Sequence, residues 1–457
     1  MDIDRYPLAS IMRLLLTTLF CVLGVAVAED GSQGWLRYAP IPDGPCAQSV
    51  PPAIIALNST KVSPVYTAGQ ELQRGVEGII GRKLNVSSTA DQSQSAIIVG
   101  IWDAYVAAYG SIDECENLDE DGFFLSTTTP GKVMIIGQNE RGALYGAFEY
   151  LSQLAQDNVT AASTVYNPQV PIRWTNEWDN MDGSIERGYA GPSLFFRDGF
   201  VVDNTTRVAE YARLLASIRV NGAIINNVNA NATLLNDRNV EGLGRLADAM
   251  RPWGVQLGIS LNFASPNASL GTFDPLDPKV DAWWANITNQ IYSKVPDMAG
   301  YLVKANSEGQ PGPLTYNRTL ADGANMFARA AKPHGGVVMF RAFVYDNHIN
   351  ETNWYNDRAN AQLEFFQHLD GKFDDNVVVQ IKFGPVCVQT LSIQEQTNVS
   401  LFPHRLTSRF GSQHRHCLDL YGTRVQLSSS RSHPSISARI ATSSIWPHSG
   451  KRSWSLT

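Results

Sequence analysis

Lys304 and Glu308 follow the apolar run Gly300–Val303 in the segment AGYLVKANSEGQPGP (Ala299–Pro313). A cation and a carboxylate at a strand end that opens into a Gly/Pro-rich loop could hold an anion and protonate a neighbouring oxygen. Rigid strand ends carrying variable loops are how α/β barrels assemble active sites. The pattern recurs, with Arg341 after Gly336–Phe340 and Lys382 after Asn376–Ile381. Two lysines, an arginine and a carboxylate on successive strand ends predict a pocket that holds an anion beside an acid. Arginine suits a carboxylate ligand because its guanidinium can donate two parallel hydrogen bonds. Each charge also has a plainer explanation: a surface salt bridge for Lys304 and Glu308, solvated strand ends for Arg341 and Lys382. An acid working near neutral pH needs a pKa raised by burial or by a like charge. Glu308, one helical turn beyond Lys304, is placed to reach a scissile oxygen.

A second segment, Arg173–Gly191 (RWTNEWDNMDGSIERGYAG), has the residue types of a sugar site. Trp174 and Trp178 offer flat apolar faces on which sugar rings stack, and Asp179, Asn180, Asp182 and Glu186 supply partners for hydroxyls. A polar loop with core tryptophans accounts for the same pattern.

The elements that must position these residues alternate from Ile172 onward. Apolar runs at Ile172–Trp178, Gly222–Asn226, Gln256–Asn262, Gly300–Val303, Gly336–Arg341 and Asn376–Lys382 read as strands. Helical periodicity lies between them at Thr206–Ser217, Leu243–Met250, Asp281–Ser293, Thr319–Ala331 and Asp357–Leu369. The class is α/β, and about six β/α units fit a (β/α)8 barrel that has not closed. A doubly wound sheet would show a Gly-rich phosphate loop after its first strand, which Trp178–Gly191 does not resemble.

Upstream, Glu29 to Pro168 predicts a small α/β domain. Val65–Leu84 has helical rhythm, Ser95–Gly100 is a short buried strand, Gly122–Leu125 and Lys132–Gly137 form a hairpin, and Gly142–Gln156 is an amphipathic helix. The Pro-spaced Asn167–Pro171 marks a boundary. The expected organisation is therefore 1–28 signal, 29–168 N-terminal α/β domain, 169–385 incomplete barrel and 386–457 irregular tail. The tail is rich in Ser, Arg and His without periodic apolar segments, and is expected to be disordered.

The chain has 457 residues, 44% hydrophobic and 17% charged, the composition of a globular protein of more than one domain. A formal net charge of −7 gives no reason to expect nucleic acid or anionic lipid as a partner. Arg13 followed by the apolar run Leu14–Ala28, ending in Ala26-Val27-Ala28, reads as a secretory signal too short for a membrane span. Glycosylation acceptors at Asn58, Asn85, Asn158, Asn204, Asn231, Asn267, Asn286, Asn317 and Asn350 also point to an extracellular protein. Cys46 and Cys115 have no metal-ligand spacing, so no metal site is expected, and whether they pair stays open.

Taken together, the segments EDGSQGWLRYAPI (Glu29–Ile41), ERGALYGAFEYL (Glu140–Leu151), EWDNMDGSIERGYAG (Glu177–Gly191), NNVNANATLL (Asn226–Leu235), GISLNFASP (Gly258–Pro266), DMAGYLVKANSEGQPGP (Asp297–Pro313) and QIKFGP (Gln380–Pro385) resemble the fungal α-glucuronidases of glycoside hydrolase family 67. The resemblance runs from Glu29 to Pro385. It implies a small α/β domain, a (β/α)8 barrel and a large helical C-terminal domain. It also implies removal of glucuronic or 4-O-methylglucuronic acid from xylan-derived oligosaccharides, with inversion and without cofactor or metal. By the same resemblance Glu308 matches the general acid, Lys304, Arg341 and Lys382 match residues that hold the uronate, and Trp178 lies among substrate-contacting positions.

Inversion requires a second carboxylate about 6.5–9.5 Å from the acid to activate water. In the family, Gly-Pro at the end of strand six is followed by Ile-Asp-Phe-Gln, whose Asp is a candidate base. Here Gly384-Pro385 is followed by Val386-Cys387-Val388-Gln389, so Cys387 stands at the Asp position. Read one frame over, Arg405–Gln413 permits the family string directly after Pro385, which implies a retained intron; a truncated paralogue is the alternative. As written, the chain is expected to show impaired catalysis or none, and to lack the means of a family-type dimer. Two other functions remain open: an inactive carbohydrate-binding fragment, and a barrel glycosidase of other specificity such as a hexosaminidase.

Overall fold

The computed structural model describes residues 36–342, 344, 365–381, 424–425 and 440–441. The expected signal, Asn350, Lys382, Cys387 and most of the tail lie outside the described residues. Within the tail, Arg424–Val425 (β15) pairs antiparallel with Ile440–Ala441 (β16).

The N-terminal sheet is six-stranded. Its strands are β1 (Ala53–Ala56), β2 (Asn85–Ser87), β3 (Ala96–Ile101), β4 (Phe123–Ser126), β5 (Lys132–Gly137) and β6 (Ser163–Tyr166), in the order β2-β1-β3-β5-β4-β6. β4 runs antiparallel to both β5 and β6, which is the expected hairpin. Helices α1 (Pro64–Ile80) and α3 (Glu140–Ala155) bury one face, and α2 (Trp102–Tyr109) packs on the other. Ser63 caps α1 by accepting from the Tyr66 amide, with Pro64 in the first turn and Gly81 closing the helix in the left-handed region.

The second sheet is wholly parallel and takes its strands in chain order. They are β7 (Trp174–Asn176), β10 (Gly222–Ile225), β11 (Gln256–Leu261), β12 (Gly300–Val303), β13 (Val337–Arg341) and β14 (Val377–Gln380). A small hairpin, β8 (Phe196–Arg197) with β9 (Phe200–Val201), follows β7. Among the described residues the long helices between these strands are α4 (Thr206–Ser217), α5 (Asp237–Met250), α6 (Pro278–Lys294) and α7 (Leu320–Ala331), while most of the expected helix Asp357–Leu369 lies outside the described residues. Thr319 and Asp322 start α7 with reciprocal side-chain to backbone bonds. This is the incomplete barrel the sequence predicts.

Because strand side chains alternate, each strand serves two cores. Ala223, Ile225, Leu257, Ile259, Tyr301, Val303, Val338 and Phe340 face the helices. Ile224, Leu302 and Met339 point inward and meet Trp174, Trp178 and Val378. Gly300 begins β12 at φ +143, and a Cβ there would lie 1.9 Å from the Val337 carbonyl oxygen, so only glycine permits the approach of β13. Among the described residues β7 and β14 each pair on one side only, and the inner face opens there into a cavity of about 700 Å³.

Two buried polar clusters join the sheets. In the first, Glu71 of α1 accepts from the Arg213 guanidinium of α4 at 2.6 Å and from the Tyr38 hydroxyl at 2.5 Å. In the second, Asp121 accepts from Arg141 at 2.7 Å, Arg173 at 2.7 Å, Asn139 at 2.8 Å and Asn221 at 3.1 Å. Apolar contact adds to these bonds, since Ala216 of α4 belongs to the N-terminal core and Trp253 packs against it.

Candidate active site

Residues that continue the inward phase of β12 and β13 arrive at the C-terminal mouth of the sheet as Lys304 and Arg341. Lys304 is 1% exposed. Its ammonium donates to Glu308 and, at 2.6 Å, to the Asn229 amide oxygen beyond β10. Burial pushes the Lys304 pKa down; Glu308 opposes this, Arg341 adds to it, and Glu186 pulls it back up, with a net lowering.

Glu308 differs from the expectation in two ways. Residues 304–308 form an irregular turn rather than a helical one, with Asn306 and Glu308 both at φ +50. Ser307 bridges to Gln310, and the Asn306 side chain accepts from the Leu314 amide at 3.2 Å. This folds the loop back on itself and turns Glu308 onto Lys304. Burial favours the neutral acid, but the Lys304 hydrogen bond and charge outweigh it, helped by Arg187 and Arg341. The carboxyl is therefore held below the usual range, the reverse of what a proton donor needs.

Arg341 is buried, with its guanidinium 5.6 Å from the centroid of the Trp178 ring, within cation–π range. Trp178 packs beside Ile224, Val228, Leu302 and Met339, so the inner core orients the ring that carries the cation.

The loop after β7 divides its polar residues between structure and site. Asp179 is buried and accepts from the Leu194 amide at 3.2 Å. Burial pushes its pKa up. Asn180 donates to Ser184 and to the Glu186 carbonyl, and Asp182 accepts from the Ser184 amide at 2.8 Å. These three hold the loop together. Glu186, at φ +54, is the one expected partner from this loop whose charge reaches Lys304. Trp174 lines the cavity below instead of the mouth. Trp178, Lys304, Glu308 and Arg341 do not line that cavity, so the site is the rim above it.

The structure thus brings Lys304, Glu308, Arg341 and Trp178 together, while Lys382 and Cys387 lie outside the described residues. Asn229 was not assigned a role from sequence. Its backbone amide donates to Asn227, and Asn227 in turn donates to the Trp178 carbonyl, so one hydrogen-bonded chain ties the ends of β7, β10 and β12. Its place four residues past an apolar strand was the available signal. Asn226, Asn306, Glu308 and Glu186 all occupy the left-handed region without being glycine, a concentration of backbone strain usual at ligand sites. Cys46 and Cys115 are both free thiols, so the open question of their pairing resolves to none. Among the described residues no group of His, Cys, Asp and Glu could hold a metal.

Residues 34–150 match the glycosyl hydrolase family 67 N-terminus, and residues 153–401 match the family's middle domain. A probable alpha-glucuronidase A of Neosartorya fischeri is 61% identical over 375 residues, which is 81% of this chain and 44% of that protein. The alpha-glucuronidase A of Aspergillus tubingensis is 57% identical over 375 residues, again 81% of this chain and 44% of that protein. The chain therefore spans less than half the length of these relatives. A solved family GH115 4-O-methyl-alpha-glucuronidase with specificity for decorated arabinogalactans is loosely alike, with a TM-score of 0.44 at 13% identity over 77% of this chain and 56% of that one.

Proposed function

The chain belongs to glycosyl hydrolase family 67, and from that membership we propose that it recognises the α-1,2-linked glucuronic or 4-O-methylglucuronic acid of xylan-derived oligosaccharides. The observation that carries this reading is the buried Lys304 ammonium held between Glu308 and Asn229, with Arg341 fixed over Trp178 nearby. Cations built into a rim of this kind suit a uronate and have no counterpart on a neutral sugar. This also argues against a hexosaminidase.

In the reaction, Arg341 and Lys304 take the uronate carboxylate, with Lys382 assigned the same role by resemblance. Trp178 supports the sugar ring. Glu308 gives a proton to the glycosidic oxygen as the bond to the anomeric carbon breaks, and the electron pair leaves with that oxygen. Water adds to the opposite face, with inversion, once a carboxylate takes its proton. Cys387 stands where that carboxylate is expected. The chain as written therefore binds uronates and turns them over slowly or not at all.

Extracellular action in xylan breakdown completes the proposal. All eight acceptor asparagines among the described residues are exposed, as glycan attachment requires.

The test is a calorimetric titration of the full chain with glucuronate and with glucose, alongside an assay for glucuronic acid released from an aldotriouronic acid. Binding of glucuronate alone, with little release, is the expected result. Equal binding of glucose, or hydrolysis of neutral aryl glycosides, would overturn the uronate reading.

A further inference from the structure

Lys304 donates to Glu308 within a site that, on the functional reading above, must also take a substrate carboxylate. We propose that the substrate arms its own acid: the uronate carboxylate shares Lys304 with Glu308, and the crowding of two anions on one ammonium drives a proton from solvent onto Glu308.

The geometry supports this in three steps. First, Lys304 is almost wholly buried and anchored by Asn229 at 2.6 Å, so it cannot swing out to serve a uronate elsewhere. The uronate must come to it. Second, Glu308 is 40% exposed at its side chain, so it faces the opening through which the sugar arrives. An ammonium has three donors, and two are accounted for by Glu308 and Asn229. A uronate either takes the third or displaces Glu308, and both outcomes place a second carboxylate beside the first. Third, a second carboxylate placed beside the first disfavours the ionised form of both and raises the pKa of the one that gives up its share of the ammonium.

The other charges facing Glu308 do not undo this. Arg187, on the loop after β7, and Arg341, at the end of β13, favour its ionised form. Arg341 is one of the residues that turn to the uronate in the proposed reaction, so its hold on Glu308 weakens at the same moment. Arg187 is 78% exposed at its side chain, where solvent screens it. Glu186, which lies 3.5 Å from the Arg187 guanidinium, draws on that cation and bears on Lys304 from the same loop.

The step balances as follows. The free site holds the Lys304 ammonium, the Arg341 guanidinium and the Glu308 carboxylate. Binding adds a uronate and one proton from solvent. The bound site then holds the same two cations, now shared with a uronate, and a neutral Glu308, whose proton later passes to the glycosidic oxygen. A neutral sugar brings no charge, so Glu308 stays ionised on Lys304 and has no proton to give. Discrimination against neutral glycosides would thus lie in the loading of the acid as well as in binding.

The inference rests on the uronate reading but is tested separately from it. Glucuronate is titrated into the full chain by calorimetry at about pH 6, where free glucuronate is ionised, in two buffers of different ionisation enthalpy. The expected result is uptake approaching one proton per glucuronate bound, with affinity rising up to about tenfold for each unit fall in pH. Glu308→Gln should bind glucuronate with no proton uptake and with affinity independent of pH over the same range. Uptake missing from the parent chain, or unchanged in Glu308→Gln, would overturn the proposal while leaving uronate binding intact. Failure of the parent chain to bind glucuronate would remove the functional reading and this inference together. Lys304→Met adds a readout without ligand, since Glu308 should then titrate higher than in the parent by carboxyl NMR; an unchanged Glu308 titration would count against the coupling.

Discussion

The guanidinium of Arg341 lies over the Trp178 indole, 5.6 Å from its centroid, and each side chain restricts the other. The ring carries the cation and packs against Ile224, Leu302 and Met339, yet it is only partly buried. Cation–π contacts contribute about 0.5–2 kcal/mol, more as water is excluded. Trp178→Ala should therefore weaken glucuronate binding by about tenfold or more, with Trp178→Phe falling between it and the parent. Calorimetric titration decides this, and equal affinity in Trp178→Ala would detach the pair from the site.

The loop that carries Glu308 should be sensitive at Gly312. A Cβ there would stand 2.1 Å from the Asn306 side-chain oxygen, the atom that accepts from the Leu314 amide. Gly312→Ala must push Asn306 aside, at a cost of about 1–3 kcal/mol, and Glu308 moves with the loop. Urea unfolding should show the lower midpoint, and glucuronate titration should show the weaker site. A parent-like result in both would mean that Asn306 does not brace the acid.

Between the sheets, Glu71→Ala leaves the Arg213 guanidinium buried without its carboxylate. Breaking one side of a buried ion pair costs about 3–5 kcal/mol, whereas replacing both partners with apolar residues is much milder. Glu71→Met with Arg213→Met should thus be more stable than Glu71→Ala alone. The order of denaturation midpoints is the measurement; the reverse order would show that the pair, more than its desolvation, stabilises the joint.

Asp121 predicts a pH dependence. Burial works against its ionised form, but Arg141, Asn139 and Arg173 together hold its pKa below the usual carboxylate range. A folded-state pKa below the unfolded value of about 3.9 gives stability that is present above that value and lost as pH falls through the folded one. Asp121→Asn should therefore destabilise the chain most near neutral pH, with the gap to the parent closing below about pH 4. A gap that stays constant down to acid pH would place the effect in packing and not in charge.

Burial explains part of what the sequence foretold, though β1 (Ala53–Ala56), wholly buried, was not read because a four-residue apolar run has no period of its own. Gly300–Val303 and Gly222–Ile225 were legible because strands buried on both faces read as unbroken apolar runs. β2 and β6 were not, because Asn85–Ser87 and Ser163–Tyr166 are short, largely exposed edge strands whose partners, not their residues, make them strands. At the site, Lys304 and Arg341 could be found as charges ending apolar runs. The salt bridge from Lys304 to Glu308 was the plainer of the two sequence readings and is present, but its geometry comes from left-handed Asn306 and Glu308 and not from helical spacing. Asn229 was hidden for a related reason: its role is set by a lysine 75 residues away.

The two polar clusters between the sheets have a mechanical consequence. Asn167–Pro171 crosses from one sheet to the other and is itself held by the second cluster, since Arg173 and Asn221 donate to the Val170 and Pro171 carbonyls, whereas Glu71–Arg213 joins the halves without touching it. The crossing segment thus works as a strap riveted at both ends as well as a covalent thread. The N-terminal sheet is thus a buttress for α4 and for the start of β7, and the Trp178 end of the site stands on that foundation.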